Sequence, residues 1–146
     1  MLKSDLLAFL RNPRDKKTLR VPSQTRYIRK VSSKVLASLS RYAIDEAKTF
    51  DIRLCIEEAV RNAMVHGNRS DSRRMVTATY WVEDDSSLFV EIEDEGPGFS
   101  HRDVADPTSD PHIMKNSGRG VYLIRKLMDK VEYNGSGNKI TMMKAL

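Results

Sequence analysis

Three short runs in the 146-residue sequence hold residue types that could do chemistry together. In the first, Glu58, Asn62 and His66 recur at i, i+4 and i+8, so on a helix their side chains share one face. The small or apolar neighbours Cys55, Ala59 and Ala63 make that face partly buried. A carboxylate and a carboxamide one turn apart suit a hydrated Mg2+ and a water or hydroxyl to be deprotonated. Glu57 stands five residues before Asn62 and points roughly 140° away from it at the helical period. Taken alone, the stripe also reads as an amphipathic helix with a solvated polar face.

The second run is Glu93-Asp94-Glu95-Gly96-Pro97-Gly98-Phe99. Asp94 closes an alternating apolar strand, and Gly96 and Gly98 let the backbone approach a flat ligand closely. A carboxylate in such a crevice can accept hydrogen bonds from an exocyclic amine such as that of adenine, although the same spacing also serves ordinary turns. The third run, Ser117-Gly118-Arg119-Gly120, opens a helix. Free N–H groups and the positive dipole end there attract anions, and glycines admit phosphate oxygens. It follows no strand–turn–helix unit, so the dinucleotide fingerprint does not apply, and no Gly-x-x-x-x-Gly-Lys-Ser/Thr loop is present.

The elements that must position these runs can be read from periodicity. Ser23 is a candidate N-cap for a helix through Ile28, Val31, Val35, Leu39 and Tyr42. A second helix is expected from Asp45 or Asp51 to His66, stopped by Gly67-Asn68. Met75–Val82 and Leu88–Glu93 read as a hairpin across Asp84-Asp85-Ser86-Ser87. The aperiodic stretch from Glu95 to Ser117 is long for a connection, which suits a functional lid. A third helix runs through Val121, Ile124, Leu127 and Met128, and Val131–Tyr133 and Lys139–Met143 form a last hairpin. Segregated strand pairs predict an α+β fold, a two-layer sandwich with helices on one face of a mostly antiparallel or mixed sheet.

At 146 residues the chain predicts one domain, and 40% apolar with 31% charged residues is an ordinary globular balance. The lone Cys55 excludes an intramolecular disulfide and a cysteine-cluster metal site, and it fits a reducing, cytoplasmic compartment. No apolar run reaches the ~18 residues of a membrane span, and no signal peptide is read at the start. Residues 1–34 hold ten Lys or Arg against Asp5 and Asp15, a net +8, whereas the rest of the chain is −3. Residues 1–20 are therefore read as a basic N-terminal arm and 21–146 as the domain. The arm could meet an acidic protein face, while the scarcity of aromatics among its cations gives no support to direct nucleic-acid binding.

Together, in this order, the three runs resemble the nucleotide-binding fold shared by gyrase, histidine kinases and the mismatch-repair protein MutL. The likeness is strongest to its small bacterial branch, the anti-sigma-factor serine/threonine kinases, and covers roughly residues 20–146. The stretches that carry it are Cys55–Asn68, Glu93–Phe99 and Ser117–Asp129. By that resemblance Glu58 is the general base and Asn62 the ligand of an Mg2+ that bridges the triphosphate of ATP. Asp94 holds the adenine amine, Gly96 and Gly98 shape its pocket, and Ser117, Gly118, Arg119 and Gly120 cradle phosphates. Thr141 is placed near the adenine, His66 takes a helix-end structural role, and Cys55 is a buried apolar residue rather than a nucleophile. The resemblance implies a cytoplasmic, dimeric kinase that sequesters a sigma factor and phosphorylates a Ser or Thr of a STAS-type antagonist. The alternative is a non-catalytic module in which ATP gates partner binding, which needs Asn62, Asp94 and the glycines but not Glu58.

Overall fold

The computed structural model describes residues 15–97 and 117–146. The expected lid lies, over 98–116, outside the described residues, as does the arm over 1–14. Strand β1 (Lys17–Pro22) leads through a 3-10 turn (Thr25–Tyr27) into helix α1 (Ile28–Ala37) and then α2 (Glu46–Asn62), which continues as a π turn over Ala63–Gly67. Strands β2 (Met75–Glu83) and β3 (Ser87–Glu93) follow, then helix α3 (Ser117–Leu127) and strands β4 (Lys130–Tyr133) and β5 (Lys139–Ala145).

All four strand pairings are antiparallel, in the order β1-β2-β3-β5-β4. The two hairpins expected from the sequence therefore form one sheet, because β5 inserts beside β3 with Ile92 opposite Ile140. Alternation then sorts the side chains. Val76, Ala78 and Tyr80 of β2, Leu88, Val90 and Ile92 of β3, and Ile140 and Met142 of β5 are buried. The helices cover that face with Val31 and Val35 of α1, Ile52, Ile56 and Val60 of α2, and Val121 and Ile124 of α3. Fully burying each such aliphatic side chain contributes about 1.5–3 kcal/mol. On the other face Trp81 and Phe89 stack, ring centroids 5.2 Å apart, with Lys16 Nζ 4.2 Å above the indole.

Several expectations change here. Lys17–Arg20, read as part of an arm, is strand, paired with β2 from Lys17↔Tyr80 to Arg20↔Thr77. Sheet pairing recruits this run although its own alternation is weak, since Leu19 and Val21 face the helices across from Ala78 and Val76. Ser23 caps no helix; its hydroxyl donates to the Arg74 carbonyl at 2.8 Å. Helix α1 stops at Ala37, and Leu39 packs into the core from the turn beyond it. Asp45 does cap α2, accepting from the Lys48 amide at 2.7 Å.

Candidate functional site

Helix α2 presents its polar stripe to the start of α3 and the end of β3. Glu58 and Asn62, one turn apart, both lie against Gly120: a Cβ built there would stand 2.9 Å from Asn62 Nδ2 and 3.0 Å from Glu58 Oε2. Glu58 Oε1 accepts from Arg61 Nη1 at 2.8 Å, a half-exposed i,i+3 pair worth a few tenths of a kcal/mol. The stripe's odd neighbour, Glu57, turns to α1 instead and accepts from Ser32 Oγ at 2.6 Å.

Beyond Asn62 the backbone widens into the π turn, with the Asn68 amide donating to the Ala63 carbonyl five residues back at 2.8 Å. This wider turn carries His66 to the rim of a cavity and lays Gly67 against Asp94. A Cβ on Gly67 would come within 2.1 Å of Asp94 Oδ2, and one on Gly96 within 1.8 Å of the Gly67 carbonyl oxygen. Only the absence of side chains at Gly67 and Gly96 lets these two backbones and the Asp94 carboxylate approach so closely.

Asp94 continues the inward parity of Leu88, Val90 and Ile92, so it leaves the strand on the helix-covered side of the sheet. It is 8% exposed, and its Oδ1 accepts from the Gly96 amide at 2.8 Å. Burial raises the carboxyl above its ordinary range. Glu93 adds to the rise, while the Gly96 amide and the Arg74 guanidinium oppose it. Beside it lies a cavity of about 160 Å³ with Ala59, Ala63, Ile92, Val121, Ile124 and Ile140 as apolar lining. Asn62, His66, Asp94 and Asn138 supply polar groups to the same cavity. A mainly apolar cavity with one buried carboxylate in its lining suits a heteroaromatic ring bearing an amine. The adjacent Glu58, Asn62 and α3 start suit phosphate oxygens and a hard cation that takes oxygen ligands and keeps water, as Mg2+ does. Among the described residues no cluster of three or more His, Cys, Asp or Glu could hold a metal by itself.

The structure thus brings Glu58, Asn62, Asp94, Gly96 and Gly120 to one side of the molecule, and Ser117, Gly118 and Arg119 form the first turn of α3. Gly98 lies outside the described residues. Thr141 is not brought there. It alternates with the buried Ile140 and Met142, so it points to the opposite sheet face, where its hydroxyl meets Glu91 Oε2 at 3.3 Å. The strand end that does line the cavity is Asn138-Lys139-Ile140. Cys55 is fully buried in the core, and burial pushes its thiol up to about 12, which leaves it un-ionised and unreactive near neutrality. In the sequence Gly67 and Asn68 read only as a helix stop, although a Gly directly after a polar helical stripe is a signal for close approach.

Residues 21–144 match the family described as histidine kinase-like ATPase domain. The chain belongs to this family. Its similarity to the serine-protein kinase RsbW of Bacillus subtilis is 30% identity, over 94% of this chain and 89% of that protein. To the serine-protein kinase RsbW of Listeria monocytogenes it is 27%, over 89% and 87%. Among solved structures, the RsbU and RsbW domains of a Mycobacterium tuberculosis protein share its fold at a TM-score of 0.61 and 16% identity, over 91% of this chain and 32% of that one. A blue-light activated histidine kinase domain from Erythrobacter litoralis does so at 0.52 and 21%, over 86% and 61%. No helix among the described residues is long and apolar enough to cross a membrane.

In this histidine kinase-like ATPase domain, a substitution at Gly120 lets affinity and stability be tested apart. An alanine in the first turns of α3 gains up to about 1 kcal/mol of helix propensity, yet its methyl must push aside the ends of Asn62 and Glu58. Gly120→Ala is expected to melt no lower than the wild type while its affinity for ATP with Mg2+ falls about tenfold. Scanning and titration calorimetry read the two quantities separately; unchanged affinity would remove Gly120 from the site.

Proposed function

We propose that this protein is an ATP- and Mg2+-dependent protein serine/threonine kinase of the partner-switching type. In this reading it is a cytoplasmic homodimer that sequesters a sigma factor and phosphorylates a Ser or Thr on a STAS-type antagonist. The observation that carries the reading is the convergence of Glu58, Asn62 and Gly120 beside a cavity whose lining includes the buried Asp94. The names of the relatives over most of the chain support it.

The residues present divide the work. Asp94 accepts from the adenine amine, and Gly67 and Gly96 let the backbone close around its carboxylate. Asn62 would hold Mg2+, which when bound offsets negative charge on the phosphate oxygens. The amides at the start of α3 receive the phosphates. Glu58 takes the proton from the acceptor hydroxyl as its oxygen bonds to the γ-phosphorus and the bond to the β-phosphate oxygen breaks, releasing ADP. The new phosphoryl group adds about −1.5 to −2 charges to the antagonist, enough to weaken a complementary interface.

The test is transfer of label from γ-labelled ATP to a STAS-domain protein recovered in complex with this one. A labelled phosphoserine or phosphothreonine is expected; ATP binding without any transfer would leave an ATP-gated binding module. Calorimetry fixes the site: Asn62→Ala and Asp94→Asn should each weaken ATP binding about 10- to 100-fold, as expected for lost bonds to charged groups. The sign of the pH dependence follows from Asp94. Its raised carboxyl accepts from the amine most strongly when ionised, so affinity is full above the raised range and falls as the pH drops through it. That fall should begin at a higher pH than for an ordinary carboxylate.

A further inference from the structure

Asn68 is fully buried, and its carboxamide is bonded at both ends. Nδ2 donates to Ser23 Oγ at 2.9 Å and to the Met75 carbonyl at 3.0 Å, and Oδ1 accepts from the Glu95 amide at 2.7 Å. One side chain thus joins the end of α2 to the segment leaving β1, the start of β2 and the loop leaving β3. The last of these bonds falls on a particular peptide unit, the one that follows Asp94. The other side of that same unit, the Asp94 carbonyl, accepts from Asn138 Nδ2 at 3.2 Å. The Asp94 amide in turn donates to the Asn138 carbonyl at 2.9 Å.

The peptide between Asp94 and Glu95 is therefore gripped from both edges, its N–H by Asn68 and its C=O by Asn138. Fixing that plane fixes the Cα of Asp94 from which the carboxylate projects. It also fixes the approach of the Gly96 amide, which holds Asp94 Oδ1. Asn138 lines the cavity, whereas Asn68 is not among its lining residues, so Asn68 acts on a ligand through the backbone it holds, that of Asp94 included.

We propose that Asn68 is a positioning residue: it presets the Asp94 carboxylate, before any nucleotide binds, to select a purine with an exocyclic amine at C6 over one with a carbonyl there. This rests on the adenine-nucleotide reading of the site. A buried carboxylate held in one orientation can reject the carbonyl base, because it would face another acceptor. A carboxylate free to turn loses that discrimination.

The test compares ATP with ITP, which carries a carbonyl where ATP carries the amine, by titration calorimetry on the wild type, Ser23→Ala and Asn68→Ala. The wild type should prefer ATP. Ser23→Ala removes one partner of Asn68 and leaves the bond to Glu95, so it should lower the melting temperature and keep the preference. Asn68→Ala, confirmed folded by circular dichroism, should lose about tenfold of the ATP-to-ITP preference, chiefly through weaker ATP binding. Equal loss for both nucleotides, or none, overturns the proposal in favour of a purely structural asparagine. A wild type that binds ATP and ITP alike removes the adenine reading itself, a different failure. Should Asn68→Ala not fold, amide exchange in the nucleotide-free wild type decides. A Glu95 amide protected like the sheet supports presetting, and one that exchanges like an open loop overturns it.

Discussion

Glu58→Gln is expected to bind ATP with Mg2+ as the wild type does and to transfer phosphate about 10²- to 10⁴-fold more slowly, the usual contribution of a positioned general base. Glutamine keeps the shape of glutamate. Its amide oxygen can still accept from Arg61, as Oε1 does now at 2.8 Å, and it fills the same space against Gly120. What it loses is the ability to take a proton from an attacking hydroxyl. Single-turnover label transfer and titration calorimetry on the same preparation separate the two steps. Full transfer by Glu58→Gln would remove the residue from the chemistry. Loss of ATP binding would instead make it part of the phosphate site, and the kinase reading would need another base.

The second large effect is expected at Gly67. Its backbone needs no left-handed conformation: among the described glycines only Gly137 has a positive φ. The constraint is space. A methyl on Gly67 would lie 2.1 Å from Asp94 Oδ2 and 2.3 Å from its Cγ, far inside contact distance. Asp94 is buried and short, and its Oδ1 is held by the Gly96 amide, so it cannot swing away as a long surface side chain would. Nor can Gly96 yield, since its own Cα stands against the Gly67 carbonyl. Gly67→Ala should therefore lose ATP binding by at least about a hundredfold and destabilise the fold by about 1–3 kcal/mol, the usual range for overpacking. Chemical denaturation measures the second quantity, and calorimetry at a temperature where the variant is folded measures the first. A Gly67→Ala protein with wild-type affinity would show that Asp94 is not the group that meets the base.

Much of this site was written locally. The i, i+4 spacing of Glu58 and Asn62 needs only the helical period, and that period is set by backbone hydrogen bonds within a few residues. The alternation Leu88, Val90, Ile92 likewise carries on to Asp94, so a period of two already put the carboxylate on the buried side. The order of the three runs, the two helices before the hairpin and the α+β class follow from such short-range patterns.

Tertiary structure alone decided the rest, because it depends on partners far apart in the chain. Thr141 could have faced either side of the sheet; pairing of β5 with β3 fixed its parity and turned it to Glu91, away from the cavity. Lys17–Arg20 alternates too weakly to be read as strand, and it became one because β2 offered an edge. The π turn is a matter of one extra residue in a helical turn, which periodicity cannot register, yet it brings Gly67 onto Asp94. Asn68 shows the division most clearly. By itself Gly67-Asn68 is a helix terminator, and nothing near it in sequence predicts bonds to Ser23 and Glu95, 45 and 27 residues away. Local periodicity determined which residues could do the chemistry, and long-range pairing, where one register excludes the next, decided which of them meet.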